Sequence, residues 1–174
     1  LLDLWMHTYF NQPYDEGGVI SLKGHSDEKW LATTIQSAPF FKKPLPKSAD
    51  RHQFQDCWPA HLSPKDGAAT LAALTAQVAA QAISGALNKH MPDARLDDVT
   101  LWLTGGGGKN MAIRRQLEKK FFHVRPIDDI GMSADMLEAA CFAWLAVRRL
   151  KGLPTSDPQT TGAEKETTGG VLTA

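Results

Sequence analysis

The sequence predicts an α/β fold, on three observations. An apolar, β-branched segment at 98–104 leads into four glycines, followed by a helical pattern at 110–121 and a second strand pattern at 123–127. A long apolar helix is predicted at 63–90, and another apolar helix at 135–151. Because a strand, a glycine turn, a helix and a strand in this order form a βαβ unit, we expect the two strands to pair in parallel.

The N-terminal third of the chain predicts short helices joined by loops. Residues 1–10 (LLDLWMHTYF) have a helical pattern, whereas 11–18 (NQPYDEGG) have the residues of a turn. A further helix is predicted within 26–41, where apolar residues recur at core spacing. Pro44 ends this helix because proline cannot continue it.

The long helix has a clear start signal. Ser63 can cap it, Pro64 suits the first helical position, and Asp66 complements the positive end of the dipole. No charged residue occurs between Gly67 and Asn88, a length that could cross a bilayer. Polar residues nevertheless recur along one stripe, at Thr70, Gln77, Gln81, Ser84 and Asn88. We therefore predict an amphipathic, packed helix and no membrane partner.

The last helix is acidic at its start and basic at its end. Asp135 and Glu138 lie in the first turns, and Arg148 and Arg149 lie in the last, which complements the helix dipole. Residues 139–147 (AACFAWLAV) are all apolar. This pattern predicts a helix that is buried on most sides.

Composition excludes several function classes. The 174 residues fit one domain, and 19 basic residues balance 19 acidic ones, which argues against a broad surface for nucleic acid or anionic lipid. Cys57 and Cys141 do not form a disulfide framework, so we expect a reducing, cytoplasmic location. The first residues show no signal peptide pattern. Because the chain begins without Met, we expect it to be part of a longer protein.

The glycine run at 105–108 is a candidate nucleotide contact. Glycines that follow a strand let a ligand approach the backbone closely. The dinucleotide fingerprint would need Gly at position 110, which is Asn110, and a P-loop would need Ser or Thr there. The alternative is a tight strand-to-helix turn that requires positive φ, and the residues leave both readings open.

Metal ligation has little support in the sequence. His52, Cys57 and His61 could be three ligands, but no fourth lies nearby, and scattered polar groups in loops explain them better. Asp128 and Asp129 could bind Mg²⁺ or form a solvated loop. We therefore expect no metal ligands in this chain.

Glu138 is the only acid inside the apolar part of the last helix. Facing a cleft, it would suit general acid–base work or the positioning of water. The alternative is a capping box, in which Asp135 and Glu138 close the N-terminus of the helix.

Taken in order, the motifs resemble the C-terminal half of anhydro-N-acetylmuramic acid kinases. The segments TGGGGKN at 104–110, DIGMS at 129–133 and EAACFAWLA at 138–146 carry the resemblance. Further matches are Pro46, Lys47, Ser48, Arg51 and Phe54, then Thr70, Leu71, Leu74 and Thr75, and finally Thr161, Gly162 and Ala163. The opening Leu1, Leu2 and Asp3 match the residues that follow the family's Asp-Thr-Gly-Pro-Gly-Asn motif.

The resemblance implies a ribonuclease-H-like, actin-like ATPase lobe with a mixed sheet flanked by helices. Residues 1–154 would form the C-terminal lobe of a two-lobe kinase, and 155–174 its tail. The implied activity uses ATP and Mg²⁺, opens the ring of 1,6-anhydro-N-acetylmuramic acid with water and phosphorylates the 6-oxygen. The product would be N-acetylmuramate 6-phosphate, in peptidoglycan recycling, and the implied assembly is a homodimer.

The resemblance also implies roles for particular residues. Glu138 would orient the attacking water. The nucleotide side of the cleft would be lined by Gly105, Gly106, Gly107 and Asn110. The family's catalytic aspartate would precede Leu1, so we expect these 174 residues alone to be inactive. Two other readings remain: a non-catalytic actin-like module that binds a nucleotide or a partner, and a purely structural α/β domain.

Overall fold

One long helix lies at the centre of the molecule. The structure is a computed structural model, and it describes residues 1–45, 47 and 49–173. The helices are α1 (Leu2–Phe10), α2 (Glu28–Ser37), α3 (Pro39–Lys42), α4 (Pro64–His90), α5 (Gly105–Gly108), α6 (Met111–Glu118), α7 (Leu137–Leu150) and α8 (Pro158–Thr161). The strands are β1 (Thr100–Leu103) and β2 (His123–Pro126). The predicted helices at 1–10, 63–90, 110–121 and 135–151 are confirmed within a few residues at each end.

Helix α4 begins as its sequence predicts. The Ser63 hydroxyl accepts a hydrogen bond from the Asp66 amide at 3.2 Å, and Pro64 occupies the first turn. The Asp66 carboxylate also accepts a hydrogen bond from the His25 amide at 2.8 Å, which ties the loop before α2 to this end of α4. The start of the central helix is therefore fixed by local capping and by one contact with a distant loop.

One side of the first half of α4 packs against α1 and α2. Trp5 is fully buried, and its indole N–H donates to the Pro64 carbonyl at 2.7 Å. The ring lies where a side chain on Gly67 would project, so the glycine permits this close approach. The buried core on this side consists of Trp5, Met6, Leu31, Cys57, Ala68, Leu71, Ala73 and Leu74.

The other side of α4 packs against α6 and the sheet. Alanines on α4 let the two helices approach closely. This second core contains Ala72, Ala76, Ala80, Ala112, Ile113, Leu117, Phe121 and Val124. The predicted polar stripe is wrong at Thr70, which is fully buried. Its hydroxyl accepts a hydrogen bond from the Asp27 amide at 3.0 Å, and this bond satisfies the polar group inside the core.

The two strands form the predicted parallel pair, with α6 as the crossover. The register runs from Thr100 opposite His123 to Leu103 opposite Pro126. In the described part of the chain the sheet has two strands and is parallel, and not the mixed sheet that the resemblance implied. Strand β1 is half-buried on all four of its residues.

The prediction that α7 is buried on most sides is wrong. None of its residues is buried, and Phe142 is 63% exposed. Burial of the apolar side chains of α7 would be favourable, but it requires another surface that packs against the helix. The end of α7 is held by hydrogen bonds to the residues that follow it. Arg148 Nε donates to the Pro154 carbonyl at 2.5 Å, and Arg149 Nε donates to the Gly170 carbonyl at 3.0 Å.

The residues after α7 fold back on themselves. Ser156 and Thr167 form an antiparallel bridge, and α8 lies between them. By length and composition alone, α4 is a helix that could cross a membrane, and 39% of its most apolar stretch is buried inside the molecule.

Candidate functional site

A groove of about 670 Å³ lies between the start of α1, the loop at 14–17 and the glycine turn that joins β1 to α6. Its lining residues are Leu1, Leu2, Asp3, Tyr14, Asp15, Glu16, Gly17, Thr75, Gly106, Gly107, Lys109, Asn110 and Ile113. Three of the predicted site residues, Gly106, Gly107 and Asn110, therefore share one groove. Gly105 and Glu138 are not among the residues that line it.

The glycine turn leaves its backbone open. A Cβ atom built on Gly105, Gly106 or Gly107 would meet no other heavy atom within 4 Å. Gly105 has φ +71°, so glycine is required there by conformation, whereas Gly106 and Gly107 are not required by packing. The predicted positive φ is thus found at the first glycine, and the next two, in the short helix α5, present an uncovered backbone to the groove.

Asn110 holds the end of this turn in place. It is 5% exposed, and its side-chain oxygen accepts hydrogen bonds from the Ala112 and Ile113 amides at 3.0 and 3.1 Å. The side chain is therefore the N-cap of α6. The resemblance implies that Asn110 contacts the nucleotide, and the geometry adds this capping role.

Gly18 packs directly on the Asn110 cap, which the sequence alone did not show. A Cβ on Gly18 would lie 2.9 Å from the Ala112 amide nitrogen and closer still to the Asn110 side-chain oxygen. Gly18 also has φ +75°. The adjacent glycines at 17 and 18 were the available signal, because paired glycines after a turn often mark a close backbone approach.

Asp15 is a buried acid on the groove that sequence analysis missed. Its carboxylate accepts hydrogen bonds from the Ile20 and Ser21 amides, both at 2.9 Å, and from the Ser21 hydroxyl at 2.6 Å. These bonds fix the loop that forms one wall of the groove. Asp3 on α1 and Glu16 on the loop also line the groove, and both are exposed.

Lys109 and Asp135 form an ion pair at the opposite wall. The Lys109 ammonium lies 2.6 Å from the Asp135 carboxylate, and this hydrogen bond raises the pKa of Lys109 above its ordinary value. Thr104 Oγ1, at the other end of the glycine turn, donates to the Ala134 carbonyl at 3.3 Å. The loop that precedes α7 is therefore attached to both ends of the turn.

Glu138 occupies the second position of α7 and is exposed. The alternative capping box does not form: Met136 is the N-cap residue, it has no side-chain cap bond, and the Asp135 carboxylate pairs with Lys109 instead. The reason is that α7 begins at Leu137, which moves Asp135 out of the capping position.

The candidate metal ligands are not brought together in the described part of the chain, where no group of three His, Cys, Asp or Glu side chains could hold an ion. His61 pairs with Asp27 at 3.2 Å, and His52 lies 3.9 Å from Asp50. Cys57 is buried in the core, and this burial, together with nearby Asp56, raises the pKa of its thiol. Asp128 accepts a long hydrogen bond from the Ala134 amide at 3.4 Å.

The segment that carries the Pro-Lys-Ser match is described only in part, since Pro46 and Ser48 lie outside the described residues. Lys47 Nζ donates to the Phe40 and Phe41 carbonyls at 3.2 and 3.0 Å. Phe54 stacks on Phe41 with the ring centres 5.7 Å apart. These contacts secure the segment to α3, away from the groove.

The family model and the curated relatives that match this chain have the same description. The family model described as anhydro-N-acetylmuramic acid kinase matches residues 1–174. Curated relatives with the same description come from Rhodopseudomonas palustris strain BisB18 (41% identity over 174 residues) and Bradyrhizobium diazoefficiens (38% over 175 residues), and each alignment covers 99% of this chain and 45% of the relative. A relative from Methylorubrum extorquens is 38% identical over 170 residues, which cover 97% of this chain and 42% of that protein.

The chain therefore spans about half the length of the curated relatives it matches. The family match covers every motif that carried the resemblance, from Leu1 to Ala163. This chain belongs to the anhydro-N-acetylmuramic acid kinase family.

Proposed function

We propose that this chain is the C-terminal part of an ATP-dependent kinase of anhydro-N-acetylmuramic acid. The complete enzyme would open the 1,6-anhydro ring with water and phosphorylate the 6-oxygen, giving N-acetylmuramate 6-phosphate during cytoplasmic peptidoglycan recycling. The observation that carries the proposal is the family match over residues 1–174, joined to a glycine turn that lies on a ligand-sized groove.

The groove suits a nucleotide. Its volume of about 670 Å³ lies within the range of ligand pockets, roughly 300–1,000 Å³. The bare backbone at Gly106 and Gly107 allows a flat base or a phosphate to approach within van der Waals distance, because no side chain intervenes. The residues present therefore fit ATP, with residues 1–154 as the actin-like lobe that holds it.

ATP, when bound, supplies the phosphoryl group that is transferred. The chain's own residues bind and orient the reactants: Gly106 and Gly107 contact the nucleotide, Gly105 supplies the positive φ that begins the turn, and Asn110 keeps the turn in place by capping α6. Glu138 orients the attacking water through its carboxylate. Positioning of this kind accounts for much of the catalysis in phosphoryl transfer, because the protein has little covalent chemistry to perform.

Mg²⁺ fits this chain less well. The described residues contain no group of three ligands that could hold it, although Asp3 and Glu16 present exposed carboxylates to the groove. Mg²⁺ in kinases is commonly held by one or two carboxylates together with substrate phosphates. The chain's share in binding Mg²⁺ is then limited to single carboxylates such as these two.

Nucleotide binding can be tested with Gly106→Val. We expect the variant to weaken ATP binding by tenfold or more in the complete kinase, measured by calorimetry, because the added side chain fills the space that the ligand needs. Gly85→Val is the matched control, since a Cβ at Gly85 also meets nothing within 4 Å but lies on α4 away from the groove. Equal affinities for the two variants would contradict nucleotide contact at the turn.

The second candidate function is the non-catalytic module, and the exposed apolar surface of α7 is the observation that favours it. Formation of sugar 6-phosphate by the complete protein separates the two functions, because a non-catalytic module makes none, and Glu138→Gln then tests the role of Glu138. A kinase is expected to lose most of its turnover while its melting temperature stays unchanged, because Glu138 is exposed and forms no cap. Formation of sugar 6-phosphate at the same rate by the variant and by the native protein would remove Glu138 from the mechanism.

A further inference from the structure

We propose that Lys109 and Asp135 are positioning residues, whose ion pair sets helix α7, and with it Glu138, against the glycine turn. The part of this proposal that concerns turnover rests on the proposed function. The part that concerns the placement of α7 depends only on the geometry of this chain.

The loop before α7 is held at both ends of the glycine turn. Thr104 precedes Gly105 and donates to the Ala134 carbonyl at 3.3 Å. Lys109 follows Gly108 and reaches the carboxylate of the next residue, Asp135, at 2.6 Å. Because two consecutive residues of the loop contact the two ends of the turn, the loop can neither slide nor rotate without breaking one of these bonds.

Helix α7 lacks the anchors that orient the other long helix. None of its residues is buried, and its N-cap residue, Met136, forms no side-chain cap bond. At its other end, Arg148 and Arg149 bond to the residues that follow the helix, which themselves belong to the C-terminal segment. Among the described residues, the contacts of Ala134 and Asp135 with the glycine turn, together with the hydrogen bond from the Ala134 amide to Asp128, link the start of α7 to the βαβ unit.

The pair is suited to orientation and not to global stability. Its side chains are 60% and 69% exposed, and exposed ion pairs contribute little to the free energy of unfolding because water screens them. A charge-assisted bond nevertheless has a short and directional geometry. Asp135 lies three residues before Glu138, so fixing the position of Asp135 also fixes where the first turn of α7 begins.

Hydrogen exchange of the 174-residue chain tests the placement of α7. Lys109→Met, Asp135→Asn and the double variant are each expected to accelerate amide exchange in Leu137–Leu150 by threefold or more, to the same extent, with the melting temperature unchanged. Equal effects that do not add follow from a single shared bond. Lys109→Arg keeps the charge and is expected to restore slow exchange.

Arg95→Met is the matched control, because Arg95 forms a similarly exposed ion pair with Asp97 at 3.5 Å, far from α7 in the sequence. It is expected to leave exchange in α7 unchanged. If Lys109→Met and Asp135→Asn also leave it unchanged, the ion pair does not position α7 and the proposal is overturned.

Turnover of the complete kinase tests the catalytic part. Asp135 does not line the groove, so Asp135→Asn is expected to lower kcat by about two- to fivefold with the KM for ATP unchanged. An unchanged kcat together with faster exchange in α7 would retain the placement of the helix and remove the role of Glu138 in the proposed function. Loss of affinity for ATP with a normal kcat would instead overturn the positioning role in catalysis.

Discussion

Helices α4 and α7 are both long and apolar, yet one lies at the centre of the molecule and the other lies on its surface. In α4 ten residues are buried, whereas in α7 none is. The apolar side chains of α7 are the larger ones, since it carries Phe142 and Trp144 where α4 carries mostly alanine. Hydrophobicity alone therefore does not decide burial, because small residues allow neighbouring helices to approach and large ones need a surface of matching shape.

The two helices also differ at their starts. Helix α4 has a serine cap, a proline in its first turn and an indole donor on the Pro64 carbonyl. Helix α7 has no side-chain cap and is joined to the rest of the molecule through Thr104 and Lys109. We expect α4 to be part of the stable core and α7 to open at much lower free energy.

The largest effect expected from this comparison is that of Leu71→Ala. Leu71 is 1% exposed in the core beside α1, so its truncation should lower the free energy of unfolding by about 2–5 kcal/mol. The matched variant on the other helix is Phe142→Ala, which removes a larger side chain that is 63% exposed and should change stability by less than about 0.5 kcal/mol. Urea unfolding of both variants measures the difference, and equal losses would show that α7 is packed in solution.

A somewhat smaller effect is expected from Gly67→Ala. The added methyl group would overlap the indole ring of Trp5, which cannot move without breaking its bond to the Pro64 carbonyl. Such overpacking costs about 1–3 kcal/mol. Gly85→Ala on the same helix is the control, because its methyl group meets nothing within 4 Å and should stabilise the helix by about 0.5–1 kcal/mol. Stabilisation of similar size in both variants would indicate that helix propensity and not packing dominates.

The smallest expected effect is on the stability of the fold at acid pH. The amide of His25 and the hydroxyl of Ser63 donate to Asp66 and hold its pKa below the ordinary 3.8, and the amide of Trp30 acts similarly on Asp27. Because these pKa values are lower in the folded chain, the stabilisation is complete above about pH 4 and is lost as the pH falls below 3.8. The melting temperature should fall less between pH 5 and pH 3 in Asp66→Asn than in the native sequence. Parallel pH profiles would exclude Asp66 as a source of acid sensitivity.

Features that depend on neighbouring residues could be predicted from the sequence. The start of α4 follows from Ser63, Pro64 and Asp66, which act within one turn. The parallel pairing of β1 and β2 follows from the order of strand, glycine turn and helix. Burial of α7 could not be predicted in this way, because it depends on which surface the fold brings to the helix.

The groove shows the same division. The glycine turn was recognised because four glycines after a strand are a local signal. Asp15 and the pair of Lys109 and Asp135 were missed, since each forms its bonds only after distant segments meet. Gly18 had a weak signal in the Gly-Gly step, but its contact with the Asn110 cap required the tertiary structure.

The two cysteines of the chain differ in their access to reagents. Cys57 is 5% exposed and its thiol pKa is raised by burial, whereas Cys141 is exposed on α7. Thiolates are the reactive form, so a maleimide dye should attach at Cys141 before it reaches Cys57. The native sequence thus already carries a labelling position on the less anchored helix, and fluorescence from that position would report its movement without any engineered cysteine.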